Sequence, residues 1–139
     1  MLVLAKNVTI EREREVALYK VVGKHVYANL FGIDPKIISN LGLVEEAVLK
    51  AAELGKMHIV EMIRYKFNNL YSPDFGGVSV IALLKESHIC IHTWPESGYA
   101  TVDIYSCGDV SEPMVAFSHL LIKLKPKKYE HHYIQRDNK

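Results

Sequence analysis

The chain has 139 residues, 49% apolar and 24% charged, the proportions of one soluble globular domain of ordinary size. A formal charge of +1 gives no electrostatic footprint for nucleic acid or an anionic membrane, and the longest apolar run, Val78–Leu84, is far too short to span a bilayer. Two cysteines make no disulfide framework, and the N-terminal MLVLA runs into charge rather than a secretory cleavage site, so a cytoplasmic protein is expected.

Residues 1–19 read as an N-terminal extension, with Glu and Arg alternating over 11–15, and residues 20–139 as a single domain. Residues 19–31 (YKVVGKHVYANLF) alternate as a strand does. Asp34-Pro35 opens the next element, in which Leu41, Val44, Ala47, Val48 and Ala51 recur at helical spacing. Gly55 stands where a left-handed residue would end that helix. Residues 57–67 (MHIVEMIRYKF) follow as a strand, and 68–75 (NNLYSPDF) as a polar, Pro-containing loop.

Three strand-like runs then stand back to back: Val78–Leu84, Ser87–Trp94 and Tyr99–Cys107, with Pro95-Glu96-Ser97-Gly98 as turn chemistry between the last two. Ser111 is the expected N-cap of a closing helix whose buried stripe is Val115, Leu120, Leu121 and Leu124, stopped by Pro126. Residues 128–135 form a last strand before a short polar tail. The order β-α-β-β-β-β-α-β predicts an α+β two-layer sandwich, an antiparallel sheet with two helices on one face. The uncovered face of such a sheet needs a partner, so a homodimer is expected.

A four-residue loop at 95–98 pairs Trp94 with Tyr99 and His92 with Thr101, and sets Glu86 opposite Cys107. A tight connection at Lys85-Glu86 pairs Ser79 with His92, although Lys-Glu offers no glycine for a turn. Alternation then places Ser79, His92 and Cys107 on one face, beside the Glu86–Ser87 peptide.

Three chemistries can be weighed against these residues. A metal site on His88 and His92 fails on distance, because four residues along a strand separate their Cα atoms by roughly 13 Å. A Cys107/His92 nucleophile pair lacks an orienting carboxylate or amide. In the third, the Ser87 hydroxyl attacks its own preceding carbonyl. Elimination then cuts the chain and leaves, after loss of ammonia, an N-terminal pyruvoyl group. Ser79 and His92 would act as oxyanion donor and base.

Glu86-Ser87-His88, then Ile91-His92-Thr93-Trp94-Pro95-Glu96, Ala100-Thr101-Val102-Asp103 and Cys107-Gly108 together resemble the prokaryotic S-adenosylmethionine decarboxylase proenzymes. The likeness runs from about residue 21 to the end of the last strand. It implies self-cleavage into a β chain, 1–86, and an α chain, 87–139, with no metal, and Ser87 converted to a pyruvoyl cofactor that forms a Schiff base with the substrate amine. It further implies processing by Ser79 and His92, proton return by Cys107, ribose binding by Glu96, and an adenine-stacking ring from Phe67, Tyr71 or Phe75. Cys90 reads as a packing residue. The implied substrate is S-adenosylmethionine, for polyamine synthesis. Arginine is the alternative, since crenarchaeal members decarboxylate it by the same chemistry, and an uncleaved regulatory relative is a further one.

Overall fold

A computed structural model describes residues 20–138; the expected extension, 1–19, lies outside them. The six strands are β1 (Val22–Phe31), β2 (Ile59–Lys66), β3 (Val78–Leu84), β4 (Ser87–Trp94), β5 (Tyr99–Cys107) and β6 (Lys128–Asp137). They form one sheet in the order β2-β3-β4-β5-β1-β6, every pairing antiparallel. A single helical turn, α1 (Pro35–Ile38), leads into α2 (Leu41–Leu54), and α3 (Pro113–Leu124) follows β5. The expected α+β architecture, both long helices on one face, is the one observed. No helix among the described residues is long and apolar enough to cross a membrane.

Period-two alternation decides which face is which. Val26, Ala28 and Leu30 of β1, Val80 and Ala82 of β3, Ile89 and Ile91 of β4 and Val102 and Ile104 of β5 are fully or almost fully buried under the helices. The helices answer with Val44, Val48 and Ala51 from α2, over β2 and β3, and Phe117, Leu120 and Leu124 from α3, over β1 and β5. Each Val, Leu, Ile or Phe side chain among them contributes roughly 1.5–3 kcal/mol relative to exposure, and the alanines less. The intervening strand residues, Ser79, His92, Thr101 and Cys107 among them, stand on the opposite face, which carries no helix among the described residues.

The helix ends differ from expectation in instructive ways. Asp34 caps α1 through Lys36 N–H, and Asn40 caps α2 anew through Leu43 N–H, so the expected single helix is two. Gly55 is not left-handed: its φ is −80°, and Lys56 takes the positive φ of 57° instead. Glycine is needed at 55 because a Cβ there would lie 2.9 Å from the Glu112 carbonyl, whose own N–H donates to Gly55 O at 2.8 Å. Ser111 is not the cap of α3; Glu112 holds that position without a side-chain bond. The Ser111 hydroxyl instead meets Ser106 Oγ at 2.9 Å and donates to Cys107 O at 3.2 Å, fixing the end of β5. Val115 is exposed rather than part of the buried stripe, its place taken by Ala116 and Phe117.

Candidate active site

The expected meander register holds: Ser79 pairs with His92, His92 with Thr101 and Trp94 with Tyr99. Pro95–Ser97 forms a single 3-10 turn closed by Gly98 at φ 60°, a left-handed position that suits glycine. This short loop carries Glu96 at the end of the sheet.

Two further anchors shape that end. Thr93 Oγ1 donates to Ile38 O at 2.7 Å and accepts from Val78 N–H at 2.9 Å, tying β3 and β4 to α1. The Lys66 ammonium bonds the carbonyls of Ser39, Pro73 and Gly76, so the irregular segment before β3 folds back over the sheet. The result is a hollow of about 350 Å³, in which Phe67, Phe75 and Trp94 supply rings, and Ser79, His92 and Glu96 supply polar groups. Tyr71, the third candidate ring, does not line it and is 93% exposed.

Within the hollow, Ser79 Oγ and His92 Nδ1 are 2.7 Å apart. A second hollow of about 430 Å³, bordered by His92, His88, Cys90, Asn29 and Asp103, continues across the open face. There His25 Nε2 lies 2.8 Å from Asp103 Oδ1. Burial, and secondarily the Asp103 carboxylate, push the Cys90 thiol up from its ordinary value, which makes it a poor nucleophile at neutral pH.

The Glu86–Ser87 corner lies elsewhere. His92 is five positions along β4 from Ser87, which at about 3.3 Å per residue is roughly 16 Å. Ser79 and His92 therefore stand on the open face but, against expectation, not beside the Glu86–Ser87 peptide within one chain; Ser87 itself pairs with Ser106, which is buried on the helix side. Cys107 does stand beside that peptide: its backbone N–H donates to the Glu86 carbonyl oxygen at 2.9 Å. That oxygen belongs to the Glu86–Ser87 peptide, so an amide dipole already points where negative charge would develop if the carbonyl were attacked.

Ser87 itself has φ 153°, one of three positive values among the described non-glycine residues. Such a conformation costs of the order of 1–3 kcal/mol in an L-residue. The Glu86 side chain turns the other way, to His58, whose N–H and Nδ1 lie 2.9 and 2.8 Å from its two oxygens. Burial alone would raise the Glu86 carboxyl, but the His58 bonds and its own backbone outweigh that and hold it below the usual carboxylate range. Neither the Cys107 N–H nor His58 was found from sequence. A backbone donor has no residue signature, and His58 is 28 positions from Glu86.

The S-adenosylmethionine decarboxylase family model matches residues 24–137. The arginine decarboxylase proenzyme of Hyperthermus butylicus is 46% identical over 125 residues, 90% of this chain and 85% of that protein. The protein of the same name from Pyrobaculum arsenaticum is 46% identical over 119 residues, 86% of this chain and 87% of its own length. Among solved structures, the adenosylmethionine decarboxylase from Aquifex aeolicus matches with a TM-score of 0.75 at 33% identity, covering 85% of this chain and 92% of that one. With the match running through all six strands and both long helices, the chain belongs to the S-adenosylmethionine decarboxylase family and is a carboxy-lyase.

Proposed function

We propose that the chain is a proenzyme that cuts its own Glu86–Ser87 bond, takes its pyruvoyl cofactor from Ser87, and decarboxylates arginine. The observation that carries the cleavage reading is the Cys107 N–H on the Glu86 carbonyl, next to a Ser87 with strained backbone. The Ser87 hydroxyl adds to the Glu86 carbonyl carbon while the Cys107 N–H holds the oxyanion. The Glu86–Ser87 carbon–nitrogen bond breaks, the freed amine takes a proton, and an ester joins Glu86 to Ser87 Oγ. A base then removes the Ser87 α-proton, and the Glu86 carboxylate leaves. Tautomerisation of the resulting enamine to an imine, and attack by water, release ammonia. The group left on residue 87 is a ketone able to accept electrons from a bound amino acid as its carboxylate departs.

The base assigned by family resemblance is His92, with Ser79 hydrogen-bonded to it. Because that pair is about 16 Å from Ser87 along the strand, it reaches the scissile peptide from a second copy of the chain. Ile63, Tyr65, Ile81, Leu83 and Trp94 are exposed on the open face, which supports a homodimer formed through that face. In this reading Cys107, on the same chain as Ser87, returns a proton to the substrate carbon, the role that the family resemblance implies.

Arginine is supported by relatives of that name at 45–46% identity over 86–90% of the chain. A guanidinium also suits a hollow lined by the Glu96 carboxylate and by the aromatic residues Trp94 and Phe67. The second reading, S-adenosylmethionine, draws on the Aquifex neighbour and on Glu96 as a ribose ligand. Two measurements decide. Intact mass of the denatured protein is expected to give two chains split at Glu86–Ser87, the second lighter by one ammonia than a serine-initiated fragment. Carbon dioxide release is expected from arginine and not from S-adenosylmethionine; the reverse assigns the second reading, and a persistent single chain rejects the cleavage.

A further inference from the structure

The Lys85-Glu86 corner joins β3 to β4 with no glycine, and neither residue takes a positive φ. It is held instead by a residue outside the hairpin. Lys85 N–H donates to His58 O at 2.9 Å, His58 N–H donates to Glu86 Oε1 at 2.9 Å, and His58 Nδ1 lies 2.8 Å from Glu86 Oε2. An ionised carboxylate only accepts, so Nδ1 is the protonated ring nitrogen. Residue 86 is thus pinned twice, by its carboxylate to His58 and by its carbonyl to Cys107, while Ser87 is pinned by its pairing with Ser106. The positive φ falls at Ser87, the residue where the two sets of anchors meet.

We propose that His58 is a positioning residue for self-cleavage, gripping the Glu86 carboxylate so that the Glu86–Ser87 peptide is held strained, its carbonyl carbon presented to the Ser87 hydroxyl. The inference rests on the cleavage reading above and concerns how the chain prepares the bond. Holding both neighbours of a reacting bond keeps attacking oxygen and carbonyl carbon in a near-attack arrangement and lets cleavage release the strain. The lowered Glu86 carboxyl is consistent with it, since the group stays ionised and gripped at neutral pH. A core-packing role would not account for His58, because its side chain is 67% exposed and its ring is directed to the Glu86 carboxylate.

The test follows conversion of full-length chain to two chains, by intact mass, in freshly synthesised protein. His58→Ala is expected to cleave about tenfold more slowly, the factor that roughly 1.4 kcal/mol of lost positioning represents. Its melting temperature should stay close to that of the parent. Added imidazole is expected to restore the rate, because the vacated position is open to solvent. His58→Asn, whose amide N–H reaches the place of Nδ1, should stay near the parent rate and guards against a misfolded alanine variant. A parent chain that cleaves while His58→Ala keeps pace, or is slowed with no rescue by imidazole or by Asn, overturns the inference alone. A parent chain that stays whole overturns the cleavage reading and this inference with it.

Discussion

Cys107 has two separable parts in the proposed chemistry, and they are carried by different atoms. Its N–H lies on the Glu86 carbonyl, whereas its thiol is the expected proton donor. Cys107→Ala keeps the first and removes the second. It is therefore expected to cleave into two chains, yet to release carbon dioxide about 10²- to 10⁴-fold more slowly, the usual contribution of a positioned acid. Normal turnover beside normal cleavage would remove the thiol from the mechanism. At this scale the sequence was informative wherever a residue type and a strand register were enough. Ser79 on His92 and Gly98 at the turn follow from alternation and turn chemistry, and the Glu96, Phe67 and Phe75 lining follows from the resemblance. It was silent on groups whose role depends on a distant segment. His58 is one histidine among seven until the fold brings it to Glu86, and the oxyanion donor is a peptide group.

Most elements were legible to within a residue or two because their apolar periodicities are clean; β1 starts at Val22, three residues later than expected, and the other errors cluster at helix ends. There the deciding contacts are tertiary. Gly55 is glycine for the close approach of the α3 entry, and Ser111 bonds back to β5 instead of capping. Helix α3 also carries a titration that its sequence conceals. His119 Nε2 is buried with no hydrogen-bond partner among the described residues, and burial, then Lys123 and Lys50, lower its proton affinity. A histidine whose folded pKa is depressed favours the neutral form in the native state, so the unfolded chain binds more protons below its ordinary value of about 6.5. Stability contributed by neutral His119 is present above that pH and is lost as pH falls through it. His119→Gln should therefore flatten the fall in urea midpoint between pH 7 and pH 5 relative to the parent. A parallel fall in both proteins would mean that other groups govern it.

Among the described residues the sheet has one face covered by helices and one left open, and the proposed chemistry requires the open one to be shared. Alternation correctly put Ser79, His92 and Cys107 on that face; what it did not weigh was distance along the strand, which leaves the His92 base too far from Ser87 in the same chain. In the proposed homodimer, face-to-face pairing about a two-fold axis would make each site from one copy's Glu86–Ser87 corner and the other copy's Ser79–His92 pair. This arrangement has a consequence that no single variant shows. Ser87→Ala cannot be cut, because it has no attacking hydroxyl, and His92→Ala is expected to stay whole for want of the base. Coexpressed with distinguishable tags, they form mixed dimers in which one site joins an intact Ser87 to an intact His92 and the other has neither. The His92→Ala chain alone should then split at Glu86–Ser87, its fragments seen by mass, in proportion to the mixed dimer present. If both chains stay whole in a verified mixed dimer, His92 serves its own chain and the strand must move to bring it to Ser87. If the His92→Ala chain splits by itself, the base is another group.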